Sequence, residues 1–235
     1  MNQYNRINIF LPTYKRVESG MLPRFVDSLV KCADCLDNLY ITFLINADDV
    51  ETVYYLKSTV IPVEYQSLYW KENKPHLGRM YNYLYENTKV KDRSVVSMVG
   101  DDMEVQTPGY DTAILHAINR RCGKVVVYCN DLFQREKLCV NLFTTRELVG
   151  LTGKPFMCEK FASYFIDTVW MYVLKELRLG AYLRDVVIKH HHASLTGNRD
   201  EAHQRLKAQQ ITFKTGYAEA KKYASEIIKH LQGRL

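Results

Sequence analysis

Arg6-Ile7-Asn8-Ile9-Phe10-Leu11-Pro12-Thr13-Tyr14-Lys15-Arg16 opens the first ordered pattern in the chain, and its reading decides the fold. The apolar run 6–12 has the length of a buried strand, and Pro12, which can donate no backbone hydrogen bond, ends it. The polar loop Thr13-Tyr14-Lys15-Arg16 follows. Beyond it the period changes. Residues 21–35 carry Leu22, Phe25, Val26, Leu29 and Val30 at helical spacing, with Ser19 placed to cap them and Pro23 near the first turn. Then come a strand pattern at 39–45, a helix at 50–58, a short strand at 60–65, a helix at 77–87 and a valine-rich buried strand at 94–99. Such alternation builds βαβ units and a mostly parallel sheet flanked by helices, the α/β class. Ligands in these sheets bind beyond the carboxyl ends of the strands. Three polar loops converge there: 13–16, Asn46-Ala47-Asp48-Asp49 and Gly100-Asp101-Asp102.

The second half is less regular. Residues 108–121 read as a helix, 124–129 and 138–144 as strands, and 165–179 as a helix closed by Gly180. A strand at 181–192 ends in three histidines, and 199–235 is charged and helical in pattern. With no repeat and no low-complexity linker, the expectation is one domain over 1–198 with a C-terminal helical extension, 199–235, packed on or beside it.

At 47% hydrophobic and 25% charged residues the chain has the balance of a globular protein, which excludes disorder as the default. No stretch approaches the roughly 20 apolar residues of a membrane span. The polar start Met1-Asn2-Gln3-Tyr4-Asn5-Arg6 is not a secretory signal, so a cytoplasmic protein is expected. The formal charge of +6 would draw polyanions weakly and decides no partner. Cys32 and Cys35 form a CxxC pair, but no second pair completes a zinc site, so ordinary reduced thiols are expected.

Four constellations carry chemistry. Asp101-Asp102 after a buried strand suits a divalent cation holding a diphosphate, or else a polar turn. In His190-His191-His192, strand alternation puts His190 and His192 on one face, where they can serve a metal or phosphate, or simply be solvated. Asp167 opens an apolar helix, as a helix cap or as a general base. Lys74-Pro75-His76-Leu77-Gly78-Arg79 is a basic, glycine-containing helix start of the kind that binds phosphate, although it is not a P-loop.

Taken in order, these pieces resemble the GT-A glycosyltransferases, in particular the large inverting group called family 2. The resemblance covers roughly residues 6 to 194 and implies a GT-A, Rossmann-like domain. Residues 9–16 look like the family's first strand and nucleotide loop, implying donor contacts from Pro12, Thr13, Tyr14 and Arg16. Asn46 and Asp48 fall at the second strand end, which meets the base or ribose. Gly78, Arg79 and Asn82 fit the helix before the metal motif. Met98-Val99-Gly100-Asp101-Asp102-Met103 is similar to the DxD region, in Gly-Asp-Asp form, with Asp102 the favoured metal ligand and Asp101 beside the donor. Asp167 matches the catalytic base, and His190 with His192 the terminal strand that approaches the metal. The resemblance therefore implies an Mn²⁺- or Mg²⁺-dependent transferase that moves a sugar from a nucleotide diphosphate donor, UDP more than others, to an acceptor hydroxyl. The acceptor stays open among a glycan, a small molecule and nucleic acid, for example a hydroxymethylated pyrimidine in DNA. A nucleotidyltransferase is the rival outside the class, and it would want a glycine-rich basic loop after the first strand, which Pro12-Thr13-Tyr14 is not.

Overall fold

Strands β1 (Arg6–Thr13) and β2 (Leu39–Asn46) are buried along almost their whole length, as central parallel strands covered on both faces must be. The computed structural model describes residues 3–72, 76–89, 93–192 and 213–235. Between β1 and β2 runs α1 (Met21–Cys32). After β2 come α2 (Val50–Ser58), β3 (Glu64–Trp70), α3 (Leu77–Asn87), β4 (Ser94–Met98), β5 (Met103–Val105) and α4 (Tyr110–Arg120). The second half holds β6 (Val126–Asn130), β7 (Leu142–Thr145), α5 (Arg146–Leu151), α6 (Ile166–Leu177), β8 (Gly180–His190) and α7 (Phe213–Leu231). The sheet order is β3-β2-β1-β4-β7-β6-β8-β5. β3, β2, β1 and β4 are parallel neighbours, as are β6 and β8, whereas β7 runs antiparallel to both β4 and β6, and β5 antiparallel to β8.

Strand alternation splits the core into two layers. Ile7, Ile9 and Leu11 face α1 and α4, meeting Leu22, Phe25, Ile114 and Ile118. Phe10, Leu44 and Val96 face the other way, toward α3, α6 and α7. On α7 one stripe, Gly216, Ala220, Ala224, Ile227 and Leu231, is buried, and it joins α6 in this second core. Among the described residues no helix is long and apolar enough to cross a membrane.

Several elements depart from the expected bounds, each for a local reason. The third strand begins at Glu64, not 60, because Pro62 cannot join a ladder as donor, and Ile61 and Val63 pack as an apolar lead-in. Gly20, at φ 71°, and not Ser19, caps α1; the Ser19 hydroxyl donates to Arg16 O instead. α6 ends at Leu177 with Arg178 in the left-handed region (φ 54°), and Gly180 starts β8 rather than closing the helix. β5 and α5 are too short to show a period; α5 is set by the Thr145 hydroxyl, which accepts Leu148 N–H at 3.1 Å. Residues 199–212, with the expected domain boundary at 198/199, lie outside the described residues, as do Lys74 and Pro75.

Candidate active site

The chain leaves β1 for β2 and β3 on one side and returns to β4 on the other, so the strand order reverses between the parallel neighbours β1 and β4. Ligand crevices form at such a switch point. Here β1–β4 pairing stops at Asn8↔Val96, and the next free donor, Phe10 N–H, goes to the Ser97 hydroxyl at 3.1 Å. A cavity of about 470 Å³ opens at the carboxyl ends of these strands.

The expected donor residues Pro12, Thr13, Tyr14, Arg16, Asn46 and Asp101 all line it. Thr13 and Asn46 are buried, at 2% and 4% exposure, and Thr13 Oγ1 and Asn46 Oδ1 have no hydrogen-bond partner among the described residues. Buried polar atoms of native proteins are nearly always satisfied, so the pair marks where a polar ligand edge fits. Arg16 Nε stands 3.7 Å from Asp101 Oδ1. Asp48 is exposed and outside the lining; it reaches the cavity through Tyr14, whose hydroxyl donates to Asp48 Oδ2 at 3.1 Å. The neighbouring Asp49 was not among the expected site residues, yet it shapes the loop. Its buried carboxylate accepts Lys15 N–H (2.7 Å), Thr52 N–H (3.1 Å) and the Thr52 hydroxyl (2.7 Å), capping α2 and holding Lys15 at φ 51°. The signal available in the sequence was Asp49 three residues ahead of Thr52 at a helix start.

The short β5 brings the next pair together. Met103 pairs with His190, and His191 N–H donates to Asp102 O at 2.8 Å, so Asp102 and His190 meet across the ladder with Oδ2 and Nε2 3.3 Å apart. The His190 and His192 rings lie 5.1 Å apart on the cavity side, while His191 turns away to Glu104 Oε2 at 2.8 Å. Burial disfavours the Asp102 carboxylate, but the His190 hydrogen bond and charge, with Arg16 behind them, outweigh it and hold the carboxyl below its ordinary value. Burial likewise disfavours the imidazolium of His190, and Asp102, Asp131 and Asp167 reverse this, raising it. His190 Nδ1 is buried with no hydrogen-bond partner among the described residues. A carboxylate and an imidazole at this separation suit cis positions on one ion, since bonds of ~2.1 Å at right angles put donors about 3 Å apart. No three His, Cys, Asp or Glu side chains among the described residues are placed so as to hold a metal ion by themselves. An ion here would draw its other ligands from phosphate and water, the usual arrangement for Mg²⁺.

Asp167 lines the same cavity, but it is not the helix cap. Phe165, at φ 75°, is the N-cap of α6, and Asp167 sits in the first turn with Oδ1 accepting Thr168 N–H at 2.7 Å. Burial raises its carboxyl above the ordinary value, although Thr168 pulls it down. A half-buried carboxylate raised in this way is suited to take up a proton.

The α3 residues are placed differently. Leu77, Met80 and Tyr81 line the cavity; Gly78, Arg79 and Asn82 do not. A Cβ on Gly78 would stand 2.6 Å from Cys158 O and 3.0 Å from Phe161 O, so this glycine permits close packing. Asn82 Nδ2 donates to Met157 O (3.0 Å) and Glu159 Oε1 (2.8 Å), and its Oδ1 accepts Met157 N–H (2.7 Å). Arg79 is half-exposed between Glu72 and Glu159, at 3.6 and 3.9 Å.

The sequence reading also missed an aromatic side of the cavity. Phe133 stacks on His192 with centroids 5.1 Å apart, and Tyr164, Phe165 and Tyr217 line the cavity with it. Leu132 (φ 61°) and Arg135 (φ 54°) flank Phe133, in a loop whose amides at Phe133, Gln134 and Arg135 all donate to the buried Asp131 carboxylate. With Lys15 and Phe165, four non-glycine residues around this cavity hold left-handed backbone, the kind of strain that collects at functional sites.

No protein-family profile matches the chain, and no curated protein matches it significantly. Solved structures do match. The mannosyltransferase PcManGT from Pyrobaculum calidifontis, in complex with GDP-Man and Mn²⁺, aligns at TM-score 0.59 and 12% identity over 98% of this chain and 76% of that one. S. aureus TarS 1–349 in complex with UDP-GlcNAc aligns at TM-score 0.64 and 11% identity, over 96% and 71%. A mycobacterial protein aligns at 0.54 and 16%, over 98% and 74%. The chain has the GT-A glycosyltransferase fold.

Proposed function

We propose that this chain is a glycosyltransferase that takes its sugar from a nucleoside diphosphate sugar, a UDP-sugar before others, and passes it to an acceptor hydroxyl with inversion. The observation that carries the reading is the meeting, in one cavity at the sheet's switch point, of the Asp102–His190 pair, the unpartnered Thr13 and Asn46, and a half-buried Asp167 whose carboxyl is raised. The GT-A fold with GDP-Man and Mn²⁺ bound to one neighbour and UDP-GlcNAc to another supports it.

In this reading Thr13 and Asn46 satisfy their oxygens on the nucleoside, and Arg16 adds positive charge beside the diphosphate. Asp102 and His190 would hold a divalent ion, Mn²⁺ or Mg²⁺, with His192 beside them. When bound, such an ion supplies Lewis-acid stabilisation of the leaving diphosphate. Asp167 takes the proton from the acceptor hydroxyl as that oxygen bonds to the anomeric carbon. The bond from that carbon to the diphosphate oxygen breaks, and the diphosphate leaves with the electron pair. A single displacement of this kind inverts the anomeric centre. The test is a thermal-shift screen of UDP, GDP and their sugars with Mn²⁺ or Mg²⁺, followed by hydrolysis of each hit. Stabilisation by a nucleotide sugar that disappears with chelator is expected; no shift with any of them defeats the reading.

A further inference from the structure

Among the described residues, the C-terminal helix brings Tyr217 into the cavity. Its position is not an accident of the tail. Gly216, in the first turn of α7, is a weak helix former that is nonetheless buried, so a packing reason is expected. That reason is Phe165: a Cβ on Gly216 would lie 2.3–2.8 Å from its ring atoms. The glycine lets α7 close onto Phe165, and Tyr217 then meets the same ring edge to face, with centroids 5.1 Å apart. Phe165 is the strained cap two residues before Asp167. Tyr217 is thereby fixed beside the region of the proposed base while remaining 49% exposed.

An edge-to-face contact engages one part of a ring and leaves the rest open, and an aromatic held half-exposed in a cavity offers an apolar face to a ligand. Tyr164, Phe165, Ile166 and Tyr217, which line this side of the cavity, carry no charge. The wall therefore combines a half-exposed aromatic face with uncharged neighbours, which suits an uncharged ring with polar edges better than a phosphate backbone.

We infer that Tyr217 is an acceptor-binding residue, and that the acceptor presents its hydroxyl from a pyranoside ring laid against it. The inference rests on the glycosyltransferase reading, with the acceptor on the Asp167 side. It is tested with the full chain, Mn²⁺ and the donor found in the screen, using a panel of octyl pyranosides and a hydroxymethylpyrimidine oligonucleotide as acceptors. Tyr217→Ala is expected to raise KM for the glycoside about tenfold, in line with the loss of one aromatic contact. The kcat at saturating glycoside and the KM for donor should move less than twofold, and Tyr217→Phe should restore glycoside KM. Ligand-observed NMR of the octyl pyranosides without donor gives a second reading: their signal should weaken in Tyr217→Ala and persist in Tyr217→Phe. Unchanged glycoside KM and NMR signal in the alanine variant overturn the inference, as does an equal fall of donor and acceptor parameters with melting temperature, which would make Tyr217 a structural wedge. Transfer to the oligonucleotide alone also overturns it. Absence of any donor turnover in the wild type counts against the glycosyltransferase reading, and the NMR arm still decides on Tyr217.

Discussion

Replacing Asp167 by Asn removes one possible proton acceptor and little else. The side chain sits in the first turn of α6, where a carboxylate gains roughly 0.3–1 kcal/mol from the helix dipole. Asn gives up that gain but can still accept the Thr168 N–H, bonded at 2.7 Å in the native chain. In the opposite direction, burial raises the Asp167 carboxyl above its unfolded value. A raised carboxylate costs the folded state stability as pH rises from the unfolded pKa through the folded one, and the cost stays in full above it. Asn does not carry that cost. The two effects oppose each other, so Asp167→Asn should melt within a few degrees of wild type at neutral pH. Relative to wild type the variant should lose ground as pH is lowered into the carboxylate range. Transfer should behave otherwise, because general-base catalysis is worth about 10²–10⁴ in rate. Single-turnover transfer is the assay, with donor affinity by calorimetry as the control. The wild-type rate should fall as pH drops through a limb above the ordinary carboxylate range, since the base must be ionised, and the variant should lack that limb. Transfer within threefold of wild type, or an unchanged pH limb, refutes the assignment; a large fall in melting temperature makes the residue structural.

Three further outcomes follow from the geometry. Asp102→Asn should abolish the part of UDP affinity that depends on divalent ion, and equal affinity with and without chelator in the wild type would exclude the metal. His190→Ala should cost about 10–100-fold in metal-linked activity, and His191→Ala far less, because the His191 ring bonds Glu104 away from the cavity; the reverse order would show that the wrong histidine has been chosen. Asn82→Ala should cost about 1–3 kcal/mol in urea unfolding, as Met157 loses partners on both its amide and its carbonyl; a neutral substitution would mean that the latch is unimportant and that Asn82 is free to serve the donor.

The sheet was legible because its strands are buried on both faces and so spell out long apolar runs, as in 6–12 and 39–45. The facing of His190 and His192 followed from the two-residue period of strands alone, and the structure shows it. The aromatic side of the cavity was not legible. Tyr217 and Phe165 are 52 positions apart and meet only through helix packing, and a glycine chosen for a close approach looks in sequence like a weak helix former. The cap of α6 misled for a related reason. Asp is the expected residue at an N-cap, but tertiary packing of the Phe165 ring moves the helix start ahead of Asp167. Asp49 was passed over in favour of Asp48 because its importance lies in three backbone and hydroxyl donors that only the folded loop assembles.

The Asp102–His190 contact spans 88 positions of chain. During synthesis, at roughly 5–20 residues per second, the first carboxylate leaves the ribosome about 4–18 s before its histidine. For that interval β1 to β4 can zip together, but the Gly100-Asp101-Asp102 turn has no ladder to lie on, because β5 pairs with β8 alone. The nascent protein therefore forms the Thr13 and Asn46 side of the cavity before the Asp102–His190 pair. That pair forms in a single late event, when β8, the last strand of the sheet, docks.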